Sequence, residues 1–223
     1  MGFGLVARND AQYVQIDAEA PRLCRVYSGD YAAVGSYVAT VTFPAPITTA
    51  EPPCIFIRPS TTSSTELYRR LMISGSPGNW TGFSIESSNV TYRPAGKWFA
   101  AVFAVLSSTG FGLRVFDAAA QLVYDSGSAP VIVTKVSASW AYAGSKPLTM
   151  GSAFYWRTPA AADEGEYLMM NPFSRVLQAP AAVASTCGIR IAYGEGYTEI
   201  YALNSNVWTN LGHLPAVFAR LSY

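Results

Sequence analysis

Three features of the sequence predict an all-β fold built from two similar antiparallel β-sandwich units of jelly-roll type. Short apolar runs bounded by Gly, Pro, Ser or Asn recur along the chain and read as strands. Helical periodicity is nearly absent, with only residues 179–185, entered through Pro180, hinting at a short helix. The chain also repeats itself. Gly2-Phe3-Gly4-Leu5 returns as Gly110-Phe111-Gly112-Leu113, and Ala101-Val102-Phe103-Ala104-Val105-Leu106-Ser107 returns as Ala216-Val217-Phe218-Ala219-Arg220-Leu221-Ser222 with one difference in seven.

The elements follow in order. Residues 3–7 and 13–16, separated by Asn9-Asp10, form an opening hairpin. Residues 37–43 alternate aromatic or β-branched with small side chains and are expected to stop at Pro44-Ala45-Pro46. Residues 54–58 form a short strand, and residues 98–106 are apolar with little interruption, as in a central strand covered on both faces. The second unit opens with a hairpin of residues 112–116 and 121–124. It continues through strands at 131–136, 154–157, 189–193 and 200–203, and closes at 217–221. Weaker echoes lie between the anchors, among them Gly35-Ser36 with Gly144-Ser145, Arg58 with Arg157, and Leu71-Met72 with Leu168-Met169. The domains expected are therefore residues 1–108 and 109–223, two abutting sandwiches with almost no linker.

Composition narrows the function. The 223 residues are 50% apolar and only 13% charged, well inside the folded range. Fifteen basic and fourteen acidic groups give a net charge of +1, and no basic run tracks a phosphate backbone, so nucleic acid is not an expected partner. No stretch reaches the length of a membrane span, and the start, Met1-Gly2-Phe3-Gly4-Leu5, lacks the pattern of a secretory signal. Twelve of the fifteen cations are Arg, which keeps making contacts when partly desolvated and so favours subunit interfaces. Cys24, Cys54 and Cys187 have no metal spacing and read as reduced, mostly buried thiols.

Catalytic signals are weak. His213, the single histidine, has no nucleophile elbow elsewhere in the chain to serve and reads as a turn or interface residue. Asp163, Glu164 and Glu166 surround Gly165; two carboxylates could serve a glycosidase, and three could contribute to a calcium loop. The alternation of a calcium loop is missing, and a solvated turn is the simpler reading. Gly2-x-Gly4 and Gly110-x-Gly112 lead into no helix and lack the Lys-Ser/Thr of a phosphate loop. The expectation is a protein that is not an enzyme, with no catalytic, cofactor-binding or metal residues and no cofactor. Its aromatic residues are the candidates for contact: Tyr193, Tyr197 and Tyr201 around a Gly-rich stretch, with Trp156 and Trp208. They could line an interface, fill the core or form a sugar platform.

The repeated Gly-Phe-Gly-Leu and the hairpin ending in Asp17 and again in Asp125 resemble the start of small tail-tip and tail-fibre proteins of tailed bacteriophages and prophages. That resemblance covers about 16 residues per copy and implies a β-rich, non-enzymatic structural component of a tail tip, baseplate or fibre. It further implies a homo-oligomer, with a trimer favoured, other tail proteins as partners, and a place in the virion after synthesis in the host cytoplasm. Contact with a host-surface glycan or protein would go with host attachment. The alternatives are a carbohydrate- or receptor-binding sandwich module and, less favoured, a polysaccharide-degrading enzyme. Long fibrous repeats are missing from both copies, which fits a compact subunit better than a shaft.

Overall fold

The computed structural model describes residues 6–8, 14–17, 22–60, 67–87, 91–105, 110–148, 151–173, 187–191, 193–203 and 214–221. Both opening hairpins are present: β1 (Val6–Arg8) pairs with β2 (Val14–Asp17), and β9 (Arg114–Phe116) pairs with β10 (Leu122–Asp125). In the second, the Asp117 carboxylate accepts the backbone N–H groups of Ala119 and Gln121, closing the turn that the Asp predicts.

From the first half come β3 (Leu23–Ala32), β4 (Val38–Ile47), β5 (Cys54–Pro59), β6 (Leu67–Ser76), β7 (Asn79–Ser87) and β8 (Ala95–Phe103). The second half supplies β11 (Val131–Ser137), β12 (Ala141–Leu148), β13 (Gly151–Thr158), β14 (Tyr167–Met169), β15 (Cys187–Arg190), β16 (Thr198–Leu203) and β17 (Ala216–Leu221). These strands build two large antiparallel sheets, ordered β11-β17-β14-β5-β8-β3 and β12-β13-β16-β15-β6-β7-β4. The predicted all-β sandwich is present, but the halves do not each close a sandwich of their own. Strand β5 of the first half pairs with β14 of the second, and β6 pairs with β15, so both sheets run through both halves. A three-residue β14 and a four-residue β15 bury too little surface to form sheets without those neighbours.

The strand order is nearly two-fold symmetric, matching β3, β5, β6, β7 and β8 with β11, β14, β15, β16 and β17, while β12 is an added edge strand. At the residue level the heptapeptide match that suggested duplication is out of phase. Ala101 lies in the core inside the six-stranded sheet and Ala216 in the core between the sheets; Phe103 is 67% exposed and Phe218 is fully buried. Because side chains alternate with a period of two, an odd slip puts the same motif on opposite faces. The pairing instead aligns Trp98, opposite Ile57, with Phe218, opposite Leu168. The echoes of Arg58 with Arg157 and of Leu71-Met72 with Leu168-Met169 fall on non-equivalent strands.

Two cores result. The larger lies between the sheets and centres on Phe43, Phe83 and Trp98, whose ring centroids are 5.2–6.0 Å apart. The smaller belongs to the six-stranded sheet alone: Phe56 stacks on Phe99 at 4.5 Å and Tyr167 meets Phe99 edge-on at 4.9 Å. It is enclosed because the sheet rolls until its edges touch, where Cys24 bridges Pro130 and the Arg25 N–H donates to the Ala129 carbonyl at 2.9 Å. With a core on each face, Trp98 to Val102 are buried without a break, as expected of a doubly covered strand. The Asn171 side chain joins the halves again. It accepts the Ile55 N–H at 2.6 Å and donates to the Pro53 carbonyl at 2.9 Å, holding the 3₁₀ turn Asn171–Phe173 against the start of β5.

Strand β4 does not stop at Pro44-Ala45-Pro46. It runs on to Ile47 through a register shift, because it is the edge of its sheet and the missing proline N–H groups leave no ladder bond unmade. The helix hinted at 179–185 lies outside the described residues. No helix among the described residues is long and apolar enough to cross a membrane.

Because both sheets cross the repeat boundary, calorimetry is expected to show one cooperative unfolding transition. An isolated 1–108 chain should lack the dispersed amide spectrum of a folded domain; two separate transitions, or a folded 1–108 chain, would contradict the shared-sheet architecture.

Candidate functional site

Strands β15 and β16 carry Arg190 and Glu199 opposite each other, on the face of the seven-stranded sheet turned away from the core residues Ile189 and Ile200. The Arg190 Nε donates to Glu199 at 3.1 Å, and its two terminal nitrogens grip Glu195 at 3.0 and 2.7 Å. Arg157 on β13 donates to the other Glu199 oxygen at 2.8 Å. Tyr197 completes the group, with the Arg157 guanidinium 3.8 Å from its ring centroid and its hydroxyl 3.1 Å from Arg190. Arg190 and Glu199 are nearly buried, 8% and 5% exposed at the side chain. Across the pseudo-two-fold, Arg70 and Glu86 on β6 and β7 make the equivalent cross-strand pair, joined by Arg69. The Glu195 carboxyl is held below its ordinary range by hydrogen bonds from Arg190 and Tyr197.

The aromatic residues named from the sequence therefore separate. Tyr197 belongs to the ionic group. Tyr201 is buried on the same face, where its ring occupies the space a Cβ at Gly188 would need. Trp156 points the other way into the main core, edge-on to Tyr142 at 5.7 Å. Tyr193 is half-buried against that core and donates its hydroxyl to the Pro59 carbonyl at 3.3 Å. Trp208 and His213 lie outside the described residues. For Trp156 and Tyr201 the period-two alternation of β13 and β16 decides the face, while Tyr193 and Tyr197 sit in the turn before β16.

The acidic turn is already neutralised. Lys135 lies 2.9 Å from both Asp163 and Glu166, and donates to the Ala161 carbonyl at 2.6 Å; Arg220 approaches both carboxylates at 3.7 Å. Burial pushes the Glu166 carboxyl up, but bonds from the Asp163 N–H, the Thr134 hydroxyl and Lys135 outweigh it and leave the group below its ordinary value. Among the described residues no group of three or more His, Cys, Asp or Glu is placed to hold a metal ion. Cys24 is buried and Cys54 half-buried, both are free, and burial pushes both thiols up, away from thiolate reactivity.

Two open clefts of about 470 and 450 Å³ meet at Arg58, Pro59 and Ser60. They lie where the three-residue β14, which pairs with Phe56 and Ile57, gives Arg58 and Pro59 no strand partner on that side among the described residues. Gly96 lines the first cleft, and a Cβ there would lie 2.2 Å from the Arg58 carbonyl oxygen, so the close strand approach requires glycine.

A third feature is apolar. Of the ten exposed large hydrophobic residues among those described, eight lie between Phe111 and Leu148, including Phe111, Leu113 and Phe116 near the second hairpin and Ile132, Val133 and Val136 on β11. Among the described residues, β11 is an edge strand that pairs with β17 alone after the Pro130 bridge. No family model matches this chain, and neither a curated protein nor a solved structure does. Function must be argued from these surfaces.

Sequence reasoning missed Arg58, Arg157, Arg190 and Glu199. A signal existed in the excess of Arg over Lys, but the partners are distant in sequence and meet only through strand register.

Glu199→Ala should destabilise the fold by about 3 kcal/mol in urea unfolding, since it takes from the buried Arg190 one of its two carboxylates and from Arg157 its ion-pair partner; a loss under about 1 kcal/mol would show the network to be incidental. Glu166 has a folded pKa below its ordinary value of 4.5, so its stabilisation is complete above that value and is lost as pH falls through the lower folded value. Glu166→Gln should flatten the acid limb of the stability–pH curve in that window, and an unchanged acid limb would refute the linkage.

Proposed function

We propose that this chain is a non-enzymatic structural subunit that self-associates by strand addition at β11, of the kind used at bacteriophage tail tips and baseplates. One observation carries the reading: past the Pro130 bridge, and among the described residues, β11 is an apolar edge that pairs with β17 alone and whose only charge is directed elsewhere. Edge strands that must stay single are usually guarded by Lys, Pro or a bulge that turns the edge away. The first half follows that rule, with Pro44 and Pro46 on β4 and the exposed Ser28, Gly29 and Asp30 on β3. On β11, which carries a register shift between Val133 and Lys135, the Lys135 side chain is bound to Asp163, Glu166 and the Ala161 carbonyl, leaving Ile132, Val133 and Val136 exposed.

A second copy is the natural occupant because strand addition needs only main-chain complementarity and apolar side chains, both of which β11 offers to itself. The resemblance of the opening hairpins supports the tail context and favours a trimer. Host attachment would then belong to another surface of the same subunit.

The mass in solution tests this. Two copies of the 23.9 kDa chain joined β11 to β11 use up both open edges and make a dimer of about 48 kDa by light scattering, whereas the trimer that the resemblance favours, about 72 kDa, needs β11 to seat on a different surface of the next copy. The double substitution Val133→Lys with Val136→Lys should yield a folded monomer. A wild-type chain that stays monomeric at high concentration, or an oligomer unaffected by the double substitution, would refute assembly through β11.

A further inference from the structure

The paired clefts around Arg58 are, we infer, a binding site for an acidic saccharide, with Arg58 receiving the sugar carboxylate. This inference is independent of the β11 reading, since it rests on a different surface.

Arg58 is half-buried, with its guanidinium 5.1 Å from the centroid of the Tyr167 ring, and among the described residues it makes no ion pair. Eight other cations do make one, and Arg58 is the cation that both clefts share. Stacking on Tyr167 restrains its planar fork, which suits bidentate capture of a carboxylate. The two clefts it joins, about 470 and 450 Å³, each fall within the range of small-ligand sites.

The flanking groups select the ligand class. Glu164 lines one cleft and Asp30 the other, where it is bonded to Lys97 at 3.0 Å. With Asp30 paired to Lys97, which lines the same cleft, the Glu164 carboxylate is the one that repels a polyphosphate chain, which carries a charge at every repeat. The same carboxylates accept hydrogen bonds from hydroxyl groups, which a sugar supplies in quantity. Tyr193 lines the Glu164 cleft and adds an aromatic wall with a polar tip. One carboxylate amid many hydroxyls is the ligand that Arg58, with Glu164 on one side and the Asp30–Lys97 pair on the other, accommodates. Sialic and uronic acid sugars have that chemistry.

The test is calorimetric titration of the full chain with 3′-sialyllactose, a hyaluronan tetrasaccharide and neutral lactose, with sodium acetate as a carboxylate control. At least one acidic sugar should bind at least about tenfold more tightly than lactose and acetate. Arg58→Gln should lose at least about tenfold in affinity with an unchanged thermal transition. Arg58→Lys, which keeps the charge without the fork, should fall between, giving a second reading if the Gln variant folds poorly. Tyr193→Ala should also weaken binding. No binding of either acidic probe at millimolar concentration, equal affinity for lactose, acetate matching the acidic sugars, or full affinity in both Arg58 variants would overturn the assignment.

Discussion

Two short ladders at the centre of the molecule, β5 with β14 and β6 with β15, hold the rest of the structure in place. Ile57 faces Leu168 and Phe56 faces Met169 in one sheet, while Tyr68 faces Ile189 in the other. These pairs lie on or beside the pseudo-two-fold axis, so each sheet is continuous only through them. The rolled six-stranded sheet depends on the first ladder, because Tyr167 enters the small core beside Phe56 and Phe99 only when β14 is seated. The clefts depend on it too: β14 begins only at Tyr167, and the end of β5 at Arg58 and Pro59 is what they share.

Ionic pairs reinforce the same axis from outside. Arg70–Glu86 and Arg190–Glu199 occupy equivalent cross-strand positions on β6–β7 and β15–β16, flanking the seam. A partly buried pair of this sort adds little net stability over an apolar pair, but a slipped register would strand its charges. In strands as short as β15, with four residues, hydrophobic alternation alone specifies register weakly, and the ionic pairs supply the missing discrimination. The arginine excess noticed in the composition has here a structural use, alongside the one guanidinium at the clefts that is left without a carboxylate.

Much of the strand content was legible. Residues 54–58, 131–136, 154–157, 200–203 and 217–221 all fall in strands, and both hairpins form where Asn9-Asp10 and Asp117 mark turns. What misled was rank given to local cues. Pro44 and Pro46 read as a stop because edge position is invisible in a sequence, and a proline costs a ladder bond only when a neighbour is there to receive it. The tyrosines and tryptophans could not be sorted into core, interface and platform. Trp156 and Arg157 are adjacent, yet one packs in the core and the other pairs with Glu199 outside it. The contact surfaces escaped notice because Arg58 and Ile132 look ordinary until their neighbours are known.

By itself the sequence determined that this chain is all-β, low in charge and organised as two similar runs of strands, because alternation, turn residues and composition are local properties. Only the tertiary structure decided that the two runs share both sheets, which faces Ala101 and Ala216 occupy, and that Lys135 is drawn away from the β11 edge. Those outcomes turn on register between residues far apart in the chain. A shift of one residue exchanges the two faces of a strand without altering any local signal.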